Sequence, residues 1–412
     1  MNKVAVIGLG YVGLPLLKLL RNSKYDAIGI EIDNEKVEKI RITDNLLVTS
    51  DFSKIRKCNI IVICVPTPTK EEKIEIKYFK QAIYDIGKYI NNKTLIINES
   101  TIGIGMTRSY VSKILKEEYD KELNIDYYLA YCPERIDPLN KKYNIKNINR
   151  VCGASSDYAL EIAYKFYNSI INAKIKKMKS IEECELIKCW ENSTRNISIA
   201  ESNLLAKICD EYKFDIKDII DGLNTKVEQF GLNIAYPGLG PGGHCIPEDI
   251  QYLITSVENN TDIDMSLFKE SVKINENMPN FIENKIEKLI EKEKKNKKLN
   301  LLFLGVSYKP NSDDIRHSQA IKLLKMLEQN NKLQVKYYDP IAKYKANNEI
   351  KENELQNELC KTDIIVLGCP HKIFNNIDYT KYKKIKYIID CWNSINEKYI
   401  DELKINYIGV GR

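Results

Sequence analysis

A chain of 412 residues is too long for one ordinary hydrophobic core and calls for two or three domains. Its 43% hydrophobic content suits a soluble globular protein, and no apolar run approaches the roughly 20 residues that a bilayer span needs. The 63 basic and 57 acidic residues are interleaved, so the net charge of +6 suits a small anionic substrate and forms no nucleic-acid-binding stripe.

Eleven cysteines without regular pair spacing point to free thiols in a reducing compartment, hence a cytoplasmic protein. There is no CxxC, and Cys184 and Cys189 are five residues apart on an expected helix, so no metal site is expected. Met1 leads almost directly into VAVIGLG, without the layout of a signal peptide.

In chain order, VAVIGLG (4–10) reads as a strand, 11–22 as a helix, and AIGIEI (27–32) as a second strand. CNIIVICVPTP (58–68), TLIINEST (94–101) and DYYLAYCPER (126–135) follow as apolar β-rich runs between polar or helical intervals. Such alternation predicts βαβ units around a buried parallel sheet. From Ser180 to about Tyr212 no Gly or Pro interrupts a single long helix. Further helical periodicity covers 215–222, 248–257 and 266–292, with a glycine-rich loop between the first two. EKEKKNKKLN (291–300) reads as a solvated connector, after which the βαβ rhythm returns in LNLLFLGVSYKP, a helix at 318–330, LQVKYYDP, KTDIIVLGCPH and KYIIDCWN.

The two ends echo each other. CNIIVICVPTP and KTDIIVLGCPH are similar strands, each preceded by a strand closing on an acid, EID at 31–33 and YDP at 338–340. The expected fold is α/β, with two Rossmann-like doubly wound domains joined by a helical central domain with a long connecting helix. The divisions fall at 1–179, 180–294 and 295–412. The long helix exceeds what one small domain needs, so a homodimer packed along it is expected.

Gly8-Leu9-Gly10-Tyr11-Val12-Gly13 matches GxGxxG in the context that the mechanism requires: after a strand, opening a helix, with Glu31 and Asp33 about 20 residues on. Gly8 makes the turn, Gly10 admits a pyrophosphate to the backbone, and Gly13 allows close helix–strand packing. Glu31 or Asp33 would accept from the adenosine ribose, which favours NAD over NADP. The second α/β region lacks this fingerprint.

GPGGHCIPED (240–249) sets Cys245 among glycines rather than in an apolar run. Lys188 and Asn192, i and i+4 on one helix face, could stabilise an alkoxide or tetrahedral oxyanion. A thiol beside a nicotinamide can trap an aldehyde as a thiohemiacetal, which is then oxidised to a thioester.

GLGYVGLP (8–15), CVPTP (64–68), EST (99–101), PER (133–135), LIKxxEN (186–192), GPGGHCIPxD (240–249) and GVSYKPNSDDIR (305–316) follow in this order. In these motifs the chain resembles the UDP-glucose/GDP-mannose dehydrogenases, NAD-dependent nucleotide-sugar 6-dehydrogenases, over essentially its full length. The resemblance implies that Cys245 is the nucleophile and that Lys188 and Asn192 hold the C6 oxygen. Asp249, Thr101 and Glu134 would position or activate the hydrolytic water. The NAD site would include Tyr11, Val12, Pro66, Thr67 and Thr101. Arg135, Phe230, Gly240, Gly242 and Gly243 would line the sugar and diphosphate together with Glu134, Lys188 and Asn192, and Lys309 and Arg316 would meet the phosphates or sugar. The substrate order is a UDP-N-acetylhexosamine first, UDP-glucose second and GDP-mannose third, the uronate serving surface-polysaccharide synthesis.

Asp313 and Asp314 read as an N-terminal helix cap rather than as site residues, and His244 as shaping its loop. Leu139 stands where the family commonly has glycine, 100–107 lacks the usual proline, and His317 replaces a common acid. A β-hydroxyacid dehydrogenase, which needs no thiol, and a non-catalytic nucleotide-sugar-binding paralogue are the competing readings.

Overall fold

The computed structural model describes residues 3–70, 73–136, 142–226, 234–293, 297–344, 348–396, 399 and 405–412. The chain divides into two compact units. One comprises Met1–Asn192 with Glu248–Asp264, the other Ser193–Pro247 with Met265–Arg412. Among the described residues, no helix is long and apolar enough to cross a membrane.

The first unit is built on β1 (Lys3–Ile7), β2 (Asp26–Ile30), β3 (Val48–Thr49), β4 (Ile60–Ile63), the small hairpin β5 (Thr69–Lys70) and β6 (Lys73–Ile74), β7 (Thr94–Asn98), β8 (Tyr127–Tyr131), β9 (Arg150–Ala154) and β10 (Ile175–Lys177). Its main sheet has the order β10-β9-β8-β7-β4-β1-β2-β3. The six strands from β3 to β8 run parallel in the doubly wound 3-2-1-4-5-6 order. Strands such as IIVI and TLIIN are buried throughout, because helices cover both faces of a parallel sheet. The helix Lys77–Gly87 shows how: it buries Phe79, Ala82, Ile83 and Ile86, one stripe at helical spacing. β9 is antiparallel to β8, Tyr131 facing Gly153, which brings the start of β9 to the end of β8.

In the second unit β11 (Leu299–Leu304), β12 (Leu333–Tyr338), β13 (Ile364–Leu367), β14 (Tyr387–Asp390) and β15 (Asn406–Gly409) form an all-parallel sheet in the order β12-β11-β13-β14-β15. That is the 2-1-3-4-5 variant of the doubly wound pattern. The echo between the chain ends holds at atomic detail. Gly8 (φ +85°) donates to the Ile30 carbonyl at 2.8 Å, and Gly305 (φ +86°) donates to that of Tyr338 at 2.9 Å. The next amide then donates to the acid after the second strand: Leu9 to Glu31 Oε2 at 3.1 Å, and Val306 to Asp339 Oδ2 at 2.7 Å. Asp339 is further bound by His371 Nε2 at 3.1 Å. Burial works against its charge, but His371 and the backbone amides hold its carboxyl down at about 2.

The glycine- and proline-free interval forms one helix, Ile181–Tyr212. Three expectations change in detail. The helix expected at 248–257 begins earlier, as Cys245–Glu258, because Pro247 is tolerated in a first turn. The helical stretch 266–292 is two helices, Ser266–Glu276 and Met278–Lys292, parted at Asn277 with Pro279 near the second start. β9, β10 and β15 carry no strong periodic signal, being three to five residues long and ordered by neighbouring strands.

Candidate active site

The order of the first sheet reverses at β1 and β4, and there the predicted cofactor residues meet. A Cβ on Gly8 would lie 2.8 Å from the Cys64 carbonyl oxygen, and one on Gly13 only 1.9 Å from that of Gly8. Gly10 differs: among the described residues, its Cβ would meet nothing within 4 Å, so the chain's own packing does not call for glycine there. The helix Gly13–Arg21 starts after Val12 with no side-chain cap and no acid in its first turn, among the described residues. Tyr11 is exposed beside it. Open backbone at Gly10 and uncapped amides fit a dinucleotide pyrophosphate.

The two candidate acids separate. Asp33 Oδ1 accepts from the amides of Glu35 and Lys36, capping the helix Asn34–Asp44. Glu31 instead sits at the glycine turn, holding Leu9 N–H and pairing with Lys36 Nζ at 2.8 Å. Across the crevice, Thr67 Oγ1 donates to the Thr101 carbonyl at 2.6 Å, and Tyr252 Oη donates to the Thr67 carbonyl at 3.0 Å. These bonds tie the CVPTP and EST loops, with Pro66 exposed between them.

We expect Gly13→Ala to lower the melting temperature by several degrees, since backbone rather than a flexible side chain blocks the new methyl. Gly10→Ala should leave melting unchanged while raising the KM for NAD+ at least about tenfold, or about 1.4 kcal/mol. Thermal melts and NAD+ titrations check both; equal effects on stability would refute the distinction.

Lys188 and Asn192 project from one face of the long helix, and both reach Asp249. Lys188 Nζ lies 3.6 Å from Asp249 Oδ2, and Asn192 Nδ2 donates to the same oxygen. Asp249 is only 3% exposed. Burial pushes its carboxyl up to about 6, against the pull of Lys188 and Asn192. Glu134 is also buried and raised by burial, opposed by Arg150; its Oε2 accepts from the Ile136 amide at 2.6 Å. Its Oε1 is buried with no hydrogen-bond partner among the described residues. Arg135 turns aside to pair with Glu191.

In the second unit, the glycine loop rests on the loop after β11. Gly243 (φ +76°) donates to the Arg316 carbonyl at 2.8 Å, and a Cβ on Gly242 would fall 2.5 Å from Tyr308 Cβ. Gly240 (φ +99°) packs on the Asn275 carbonyl. Cys245 is exposed and is the first residue of its helix. Lys309 is half-buried in the loop after β11, and Arg316 is bound to Asp314. The capping role expected of Asp313 and Asp314 is wrong. Ser318 caps the helix Gln319–Gln329 through the Ile321 amide, because it directly precedes the helix, while Asp314 accepts from the Arg316 amide and guanidinium. Phe230 and Leu139 lie outside the described residues.

Comparison with known proteins covers the chain from end to end. The description UDP-glucose/GDP-mannose dehydrogenase family, NAD binding domain, matches residues 2–44 and 39–171; the family's central domain matches 182–277 and its UDP binding domain 302–397. The chain belongs to this family. It is an NAD-dependent nucleotide-sugar dehydrogenase. The UDP-N-acetyl-D-mannosamine dehydrogenase of Methanocaldococcus jannaschii is 31% identical over 440 residues, covering all of this chain and 97% of that one. Protein CapL of Staphylococcus aureus is 30% identical, covering 98% and 99%. The solved UDP-D-ManNAc dehydrogenase of Pyrococcus horikoshii superposes with a TM-score of 0.88 at 28% identity, covering 100% and 99%.

Sequence reasoning missed the residues that hold the dehydrogenase's 101–107 loop. Glu185, from the long helix, accepts from the amides of Gly105 at 2.6 Å and Thr107 at 2.9 Å, supplying the cap that the helix Met106–Tyr119 lacks locally. Ser256 accepts from the Ile104 amide, and a Cβ on Gly103 would strike its hydroxyl. Glycines thus shape this loop where the family commonly has proline. An acid in an apolar helical stretch, ECELIK, was the available signal.

Burial pushes Glu185 up to about 7 from 4.5. A raised carboxyl binds its proton more tightly in the folded state, so its stabilising contribution is full below about pH 4.5 and is lost as pH rises through about 7. The loss is on the order of 3 kcal/mol. Between pH 5 and 8 the wild-type melting temperature should fall more than that of Glu185→Gln; parallel curves would refute this.

Proposed function

We propose that this dehydrogenase oxidises the C6 hydroxyl of a UDP-N-acetylhexosamine, UDP-N-acetyl-D-mannosamine first, to the uronate, with Cys245 as the nucleophile. The observation that carries the reading is the convergence of Lys188 and Asn192 on the buried Asp249 carboxylate, a cation and an amide donor beside an acid that burial raises. The names of full-length relatives support the choice of sugar. NAD+ accepts a hydride in each of the two oxidations.

Gly10 and the amides opening Gly13–Arg21 hold the pyrophosphate, and Glu31 takes the ribose hydroxyls, since Asp33 is committed to its helix cap. Lys188 and Asn192 stabilise the C6 oxygen while it carries negative charge. The Cys245 thiolate adds to the aldehyde, and the thiohemiacetal becomes a thioester. Asp249 and Glu134, with Thr101, orient and deprotonate the water that releases the uronate. Lys309, Arg316 and the backbone of 240–243 bind the diphosphate and sugar. The net reaction is R–CH2OH + 2 NAD+ + H2O → R–COO⁻ + 2 NADH + 3 H⁺.

The domain division is 1–179 for NAD, 180–294 for the helical centre and 295–412 for the nucleotide sugar. The enzyme works in the cytoplasm, in keeping with eleven cysteines among which no disulfide forms in the described residues, and its product enters surface-polysaccharide synthesis. It is a homodimer along the long helix, where Leu186 and Trp190, and again Leu204, Ile208 and Tyr212, are exposed at helical spacing; sedimentation as a monomer at micromolar concentration would refute this.

NADH absorbance tests the reaction with UDP-N-acetylmannosamine, UDP-N-acetylglucosamine, UDP-glucose and GDP-mannose. Two NADH per sugar, fastest with UDP-N-acetylmannosamine, is the expected result. One NADH per sugar would remove the thioester route.

A further inference from the structure

We infer that His244 is a catalytic residue: it takes the proton of the Cys245 thiol before sulfur attacks C6 and returns it when the thioester is hydrolysed. The inference rests on the proposed role of Cys245 as nucleophile. Its starting point is a contact between neighbours in the chain. Cys245 Sγ lies 3.0 Å from His244 Nδ1. Adjacent side chains ordinarily diverge, and here the backbone is held so that they meet. Gly243 adopts φ +76° and donates to the Arg316 carbonyl, and a Cβ there would lie 2.7 Å from Tyr308 Cζ. The peptide entering His244 is therefore clamped on one side, and the helix Cys245–Glu258 fixes the other.

Two further features suit a thiol–imidazole pair. The thiol opens a helix of 14 residues, where the amides and the macrodipole favour an anion. Asp314, held by the Arg316 amide and guanidinium, lies within electrostatic reach of His244, whose charge is the smallest of the named influences on its carboxyl. Glu248 is the acid in the first turn of the same helix, and Asp249 follows it. Both side chains of the pair are exposed, whereas of the other ten cysteines only Cys360 is.

The balance of the step is simple. The S–H proton moves to Nδ1, and the bonding pair stays on sulfur. The S–C6 bond forms as the carbonyl pair shifts to oxygen, and loss of hydride from C6 to NAD+ restores the carbonyl as a thioester. When water has added, the C6–S pair returns to sulfur, which recovers the proton from the imidazolium. Shaping the loop, the role read from sequence, needs no proton transfer, and this difference can be measured.

The test uses His244→Asn and His244→Ala. Asparagine can accept a hydrogen bond from the thiol but cannot take its proton. Peptide-resolved mass spectrometry follows alkylation by iodoacetamide, with Cys360 as the internal reference. In both variants Cys245 should react about tenfold or more slowly than wild type at pH 7 and at the wild-type rate near pH 10, where the thiol ionises unaided, while Cys360 is unchanged. kcat should fall on the order of 10²-fold at pH 7 with the nucleotide-sugar KM unchanged, and recover partly as pH rises. Wild-type alkylation at pH 7 in either variant would overturn the inference, as would restoration of kcat by asparagine. The parent reading fails separately, if Cys245→Ala still makes uronate, and would take the catalytic role with it even where alkylation slows.

Discussion

Replacing Cys245 by alanine is expected to lower uronate formation by at least about 10³-fold and to cap the yield at one NADH per sugar. On the proposed route the thiol is needed only after the first oxidation, when the aldehyde must be held for a second hydride to leave. Alanine removes the sulfur and no buried contact, since Cys245 is exposed at the start of its helix. Melting temperature and nucleotide-sugar binding should therefore be unchanged, which separates this loss from misfolding. Product analysis with NADH counting reads both quantities. Unchanged uronate output would assign the second oxidation to the aldehyde hydrate and remove Cys245 from the chemistry.

The largest stability effect is expected at Glu99. Its carboxylate and the Arg150 guanidinium are both fully buried, Nη1 to Oε1 at 3.0 Å. Tyr167 Oη donates to the same oxygen, and Arg150 lies 5.1 Å over the Tyr167 ring. Burial opposes the charge of Arg150, but Glu99 outweighs it and keeps the guanidinium protonated. Glu99→Ala would strand that cation in the core at a cost of about 3–5 kcal/mol. For a unit of this size, melting should fall by roughly 10 °C. A calorimetric shift below about 2 °C would mean that the pair is dispensable. Arg150 also acts on Glu134, so the substitution reaches a proposed water-positioning residue as well.

Local patterns were readable because they are local. The glycine fingerprint, its two acids and the following helix lie within one βαβ segment, and the structure keeps them together. The interval 181–212 forms one helix because nothing in it breaks the backbone, and the periodic apolar runs became buried parallel strands. Even the echo of the two ends survives as matching turns at Gly8 and Gly305. The cap assigned to Asp313 and Asp314 failed for a related reason. A capping residue must directly precede its helix, and that place belongs to Ser318, which leaves Asp314 to Arg316.

By itself, then, the sequence determined the family, the dinucleotide fingerprint, the long helix and the order of the parts, all of which depend on spacing along the chain. Only the tertiary structure decided which distant groups share an oxygen or a charge. Asp249 meets Asn192 across 57 residues and Lys188 from still farther, Arg150 meets Glu99 across 51, and Glu185 caps a helix 78 residues away. The antiparallel strand β9 carries Arg150, the long helix carries Lys188, Asn192 and Glu185, and burial raises the carboxyls of Asp249 and Glu185. The contact of His244 with Cys245 belongs here too. The residues are neighbours in sequence, yet their meeting is a feature of the folded loop, in which Gly243 at φ +76° packs against Tyr308.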